Sequence, residues 1–101
     1  TIAFQTWGTL NAARDNVIWV CHALTASSDV ETWWRGLFGR GRTLDPERHF
    51  IVCANTLGSC YGSLGPATLD DNRERLGSRF PAISVADIVR HQRMLADALV
   101  V

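Results

Sequence analysis

The chain has 101 residues, 47% of them apolar and 20% charged, with a formal net charge of zero. That length allows one small domain or part of one, of ordinary globular composition. A balanced charge gives no electrostatic case for a nucleic acid or an anionic membrane as partner, and no apolar stretch approaches the length of a membrane span.

Residues 1–6 mix β-favouring and polar side chains and read as an outer strand. Trp7-Gly8-Thr9-Leu10-Asn11 breaks it, and Arg14-Asp15-Asn16 is turn material. Residues 17–22, Val-Ile-Trp-Val-Cys-His, follow as the clearest strand in the chain. An apolar run bounded by turn signals fits a strand buried on both faces of a parallel sheet. Residues 23–31 read as loop and Thr32–Phe38 as a short helix, whose aromatics Trp33, Trp34 and Phe38 pack on the sheet or floor a pocket.

After turns at Gly39–Arg42 and Leu44–Glu47, residues 49–55 repeat the pattern of an apolar run ending on a polar side chain. Two such strands joined by about 26 residues match a right-handed βαβ crossover. Residues 56–82 are rich in Gly, Ser, Pro and Asp and show no period, which marks a long loop. Ser84-Val85-Ala86-Asp87 reads as a capping box with Asp in the Glu position. Behind it Val85, Ile88, Gln92, Leu95 and Leu99 share one helical face, with Val89 and Met94 beside it, which gives an amphipathic helix over 84–98 packed on the sheet. The first residues are already strand-like and the last three follow a helix end, so both ends read as cut and a segment of a longer protein is expected.

Cys21, Cys53 and Cys60 are an odd number without CxxC spacing. They support neither a disulfide framework nor a metal site, and a cytoplasmic setting is the default. Gly58-Ser59-Cys60-Tyr61-Gly62 has the outline of a nucleophile elbow with cysteine at its centre. An elbow needs a strand directly before it and a helix directly after it; Asn55 ends the strand too early, and Gly65-Pro66 stands where the helix should open. The elbow is rejected. His22, His49 and His91 read as structural or exposed, since no serine sits in a convincing elbow for them to serve. The turn after the first buried strand is a different matter. Acyl transfer needs backbone N–H groups aimed at a developing oxyanion, and in α/β-hydrolase sheets one comes from a loop placed like Ala23–Thr25. From spacing alone, a strand end capped by a histidine is still the preferred reading.

At these residues the sequence resembles the homoserine O-acetyltransferase family. The matching stretches are Phe4-Gln5-Thr6-Trp7-Gly8, Cys21-His22-Ala23-Leu24-Thr25, Trp33-Trp34 with Leu37-Phe38-Gly39, and Leu44-Asp45-Pro46. They continue through Cys53 to Ser63, Gly65-Pro66, Phe80-Pro81 and Asp87-Ile88-Val89-Arg90. The resemblance implies a partial α/β-hydrolase fold: the N-terminal strands of a mostly parallel sheet with crossover helices. Residues 1–101 would then be the N-terminal part of a single domain whose nucleophile strand, lid and C-terminal part lie elsewhere.

It further implies transfer of an acetyl group from acetyl-CoA to the hydroxyl of L-homoserine, in methionine biosynthesis, through a serine acyl-enzyme. No cofactor and no metal are implied; acetyl-CoA is the donor substrate, and a homodimer is the full-length state. The position carried over is the backbone N–H of Leu24 in the oxyanion hole, with His22, Ala23 and Thr25 around it. Two residues depart from the family pattern. Ala26 replaces a usual glycine, with consequences for the oxyanion loop, and Leu76 replaces a common aromatic. Serine O-acyltransferases, a deacetylcephalosporin C acetyltransferase-like enzyme, an esterase of the same fold and a non-catalytic α/β binding module are the alternatives. The isolated segment is expected to be inactive.

Overall fold

A computed structural model describes residues 1–101, which divide into two units: residues 4–54 with Val101, and residues 1–3 with 55–100.

The first unit is built on a strand that is apolar at every position. Phe50-Ile51-Val52-Cys53-Ala54 (β3) leaves no side chain that prefers water, so it takes the centre of a three-stranded sheet, and Ile51, Val52 and Cys53 have no exposed surface. Phe4–Trp7 (β1) flanks it antiparallel, with Phe4 opposite Ala54 and Trp7 opposite Ile51. Val17–Val20 (β2) flanks it parallel, with Val17 opposite Phe50 and Val20 opposite Cys53. The sheet thus has one pairing of each sense, in the order β1-β3-β2.

The parallel pair requires a crossover, and it carries a short helix, Val30–Trp33 (α1). The expected helix at 32–38 starts two residues early and stops at Trp33; residues 34–37 form a tight turn instead, closed by Leu37 N–H on Trp34 O at 2.9 Å. Val30 and Trp33 look inward. Val20, Val30, Leu44, Ile51 and Cys53 form the core, and Trp7, Ile18, Trp33 and Phe38 close around it. Trp7 and Phe38 meet edge to face at 5.2 Å, an arrangement favoured by the ring quadrupoles. Trp34 and Leu37 stay about two-fifths exposed, so only part of the aromatic cluster is core.

Two features hold this unit's loops. Asp45 is buried, and its carboxylate accepts N–H bonds from Gly41 and Glu47, both at 2.9 Å. Those two bonds hold its carboxyl below the ordinary carboxylate range. Gly8, at φ +77°, lets the 46–49 backbone pass directly over it; a Cβ there would lie 2.1 Å from the His49 carbonyl oxygen.

In the second unit, residues 55–82 are irregular apart from a 3-10 turn at Gly77–Arg79 and an isolated bridge between Leu69 and Arg75. Val85–Leu99 (α2) begins on the capping box read from the sequence: Ser84 Oγ accepts from Asp87 N–H and Asp87 Oδ2 accepts from Ser84 N–H. The helix runs one residue beyond the expected end, and Val100 follows it in the left-handed region at φ 62°. Leu95 is buried and Ile88, Gln92 and Leu99 are half-buried beside it. Val85, placed on that face by period, is 76% exposed, because it lies at the edge of the buried arc.

Candidate active-site turn

The expected strand 17–22 ends at Val20, so Cys21 and His22 already belong to the loop. Beyond them Ala26 N–H donates to Ala23 O at 2.9 Å, which makes Ala23-Leu24-Thr25-Ala26 a closed β-turn. A turn of this kind bonds only its first carbonyl and last amide. The N–H groups of its two central residues are left over, and Leu24 N–H has no acceptor within the chain. Leu24 is 99% exposed, and Ala23 and Thr25 are exposed with it.

Beside the turn, His22 Nδ1 lies 2.8 Å from Ala23 O. A carbonyl oxygen only accepts, so in this contact Nδ1 carries the proton and donates. The loop's far end is tied to α1: Trp33 Nε1–H donates to Ser27 O at 2.9 Å, and Thr32 Oγ1 to Asp29 Oδ2 at 2.6 Å. Ser28 is buried. Ala26 has no positive φ, so the alanine in place of glycine introduces no backbone strain.

The four residues singled out from the sequence, His22, Ala23, Leu24 and Thr25, therefore fall together at the carboxyl end of β2, where α/β sheets place their ligand sites. His49 sits beside Asp45 at the start of β3, and His91 lies on α2 with Nε2 3.4 Å from Thr1 O. Cys60 stands six residues past the end of β3, in a run of bends with no helix before Gly77, so the geometry of an elbow is absent there.

Cys53, in the central strand, has its thiol buried. Burial, with a smaller contribution from Cys21, pushes it up to about 11 against an opposing bond from the His22 backbone. What sequence reasoning missed is the work of buried Asp45, Asn55 and Ser63. Only Asn55 carried a signal, as a polar residue closing an apolar run; Asp45 and Ser63 stand in turn and loop sequence that does not mark them out.

A mixed sheet of this order, with a helix in the crossover between its parallel strands, is a piece of an α/β domain. The chain is similar to a homoserine O-acetyltransferase of Chlorobaculum parvum, 53% identical over 98 residues, 96% of this chain and 28% of that protein. One from Saccharomyces cerevisiae is 50% identical over 99 residues, covering 97% of this chain and 20% of that protein. Among solved structures, a homoserine O-acetyltransferase from Bacillus anthracis superposes with a TM-score of 0.85 at 26% identity, over 99% of this chain and 31% of that one. An acetylester hydrolase from Corynebacterium glutamicum superposes with a TM-score of 0.77 at 32% identity, over 94% and 26%. No family model matches the chain. The chain is thus similar to the homoserine O-acetyltransferases over nearly its whole length, and it spans little more than a quarter of the length of the first relatives it matches.

Proposed function

We propose that residues 1–101 act as part of a longer O-acyltransferase that moves an acetyl group from acetyl-CoA to the hydroxyl of L-homoserine, with Leu24 N–H as one oxyanion donor. The observation that carries this reading is about half-identity to homoserine O-acetyltransferases along nearly the whole chain. In the reaction, a serine hydroxyl supplied outside these residues attacks the thioester carbonyl and loses its proton to a histidine base. The carbonyl oxygen becomes an oxyanion, and the Leu24 N–H donates to it. Collapse expels the CoA thiolate, which takes up a proton, and leaves an acetyl-serine ester. The homoserine hydroxyl then attacks that ester, the same amide holds the second oxyanion, and the serine is restored. Each reactant is a substrate, with no resident cofactor or metal required. A homodimeric, cytoplasmic enzyme of methionine biosynthesis completes the proposal.

The test uses two substitutions at one position of the full-length protein. Leu24→Ala keeps the N–H and removes an exposed side chain, so kcat stays within a few-fold of the parent. Leu24→Pro deletes the N–H while suiting a central turn position; loss of one oxyanion donor lowers kcat by roughly 10²–10³. Parental kcat in Leu24→Pro rules the donor role out. Acetate released to water at the rate of transfer, with no acetylhomoserine, replaces the acceptor in this reading by water. Residues 1–101 alone are expected to give no turnover.

A further inference from the structure

We infer that His22 is the positioning residue of this turn, and that it fixes the direction of the Leu24 N–H by holding the carbonyl on the opposite side of the same peptide plane. The inference rests on the acyl-transfer reading of Leu24 and adds to it the means by which that donor is aimed.

The Ala23 C=O and the Leu24 N–H belong to one peptide unit. The unit is planar and trans, so the two bonds point in opposite directions and turn together. Fixing the oxygen therefore fixes the hydrogen. Two donors converge on that oxygen: Ala26 N–H at 2.9 Å and His22 Nδ1 at 2.8 Å. A carbonyl has two lone pairs, and both are used here. One bond alone, the turn closure, leaves the plane free to swing about the flanking φ and ψ, which in an exposed turn meets little resistance. With the second bond the plane is held from two sides.

The arrangement also explains why the residue before the turn carries a ring nitrogen. The donor must belong to a side chain one residue from the carbonyl it holds, and both neutral Nδ1–H imidazole and imidazolium supply it. His22 follows two residues after Val20, which pairs with buried Cys53 in the central strand. The aim of the amide is thus referred back to the most buried part of the sheet. His22 touches neither nucleophile nor substrate in this role.

The experiment compares His22→Asn with His22→Leu in the full-length enzyme. The Asn side-chain amide puts an N–H close to the place of Nδ1; Leu fills similar space without a donor. His22→Leu is expected to lose about 10- to 100-fold in kcat, the order of effect of a slightly misaimed catalytic group, with KM for acetyl-CoA nearly unchanged. His22→Asn is expected to recover kcat to within about threefold, again by restoring alignment. The pH profile of kcat keeps its shape in His22→Asn, because a positioning donor does not titrate in the mechanism. Equal loss in both variants, no loss in either, or a missing inflection in His22→Asn overturns the inference. If His22→Leu does not fold, the His22→Asn rate and profile decide alone. An inactive parent, or a fully active Leu24→Pro, refutes the acyl-transfer reading itself; an inactive Leu24→Pro beside a fully active His22→Leu refutes only the positioning role.

Discussion

Two loops leave the carboxyl ends of the two parallel strands, and they are tied down to different extents. After β2, the Ala23–Ala26 turn closes on one backbone bond and leaves Leu24 N–H unspent on a residue 99% exposed. After β3 the loop is tied across itself and to the start of the chain. Asn55 N–H donates to Ala3 O, Gly58 N–H to Leu64 O, Ser59 N–H to Thr56 O and Gly65 N–H to Thr68 Oγ1. Asn55 Nδ2 donates to Tyr61 O, and buried Ser63 both donates to Asn55 O at 2.6 Å and accepts from Ala3 N–H at 3.1 Å. The lesson is that an apolar strand ending on a polar residue does not announce a site. A loop tied across itself by many bonds is a clasp; a short exposed turn with unbonded central amides has something to offer a ligand.

The comparison is sharpest at Gly65. A Cβ there would sit 2.3 Å from the Ser59 carbonyl oxygen, so the clasp cannot stay as it is. Gly65→Ala is expected to destabilise the full-length protein by about 3 kcal/mol, the upper range for overpacking, measured by denaturant unfolding. A loss below about 1 kcal/mol, within what a tolerant site absorbs, would show the clasp to be loose. Ser63→Ala comes next. It leaves Asn55 O and Ala3 N–H without their partner, at a cost of about 1–3 kcal/mol, while the KM values of both substrates stay put.

Across the comparison, Ala26→Gly is expected to be mild. The alanine already fits its backbone, so glycine costs under about 1 kcal/mol through added unfolded-state freedom. A gain in kcat above about threefold would mean that Cβ of Ala26 presses on the oxyanion turn. The smallest effect concerns thiols. At pH 8 Cys21 and Cys60, both exposed, are expected to alkylate in the native protein, and buried Cys53 only on unfolding. Because the folded state raises the Cys53 thiol from 9.0 to about 11, its contribution to stability is complete below pH 9 and is lost as pH rises towards 11. Cys53→Ala should flatten that alkaline fall; an unchanged slope would assign it to other groups.

Much of this was legible from the chain itself. The apolar runs placed β2 and β3, the Ser84–Asp87 spacing placed the start of α2 with its reciprocal bonds, and the residues from Cys21 to Thr25 carried the family likeness before any fold was known. Periodicity and capping are local, and local chemistry suffices to set them. The limits of β2 and α1 were less legible. Cys21 and His22 are as compatible with a strand as Val20 is, and Trp34 to Phe38 as compatible with a helix as Trp33. Strand pairing with β3 decides the first, and the tight turn closed on Trp34 O decides the second.

The sequence by itself determined an apolar central strand, a capped amphipathic helix and a small-residue turn beyond His22, because those follow from side-chain hydrophobicity and from hydrogen bonds between near neighbours. Only the tertiary structure decided which of the two post-strand loops is clasped and which is left as a lone exposed turn. That depends on where partners three to sixty residues away come to lie, Ala26 for Ala23 in one loop and Ser63 for Ala3 in the other, and a satisfied donor looks no different from an unsatisfied one until those partners are in place.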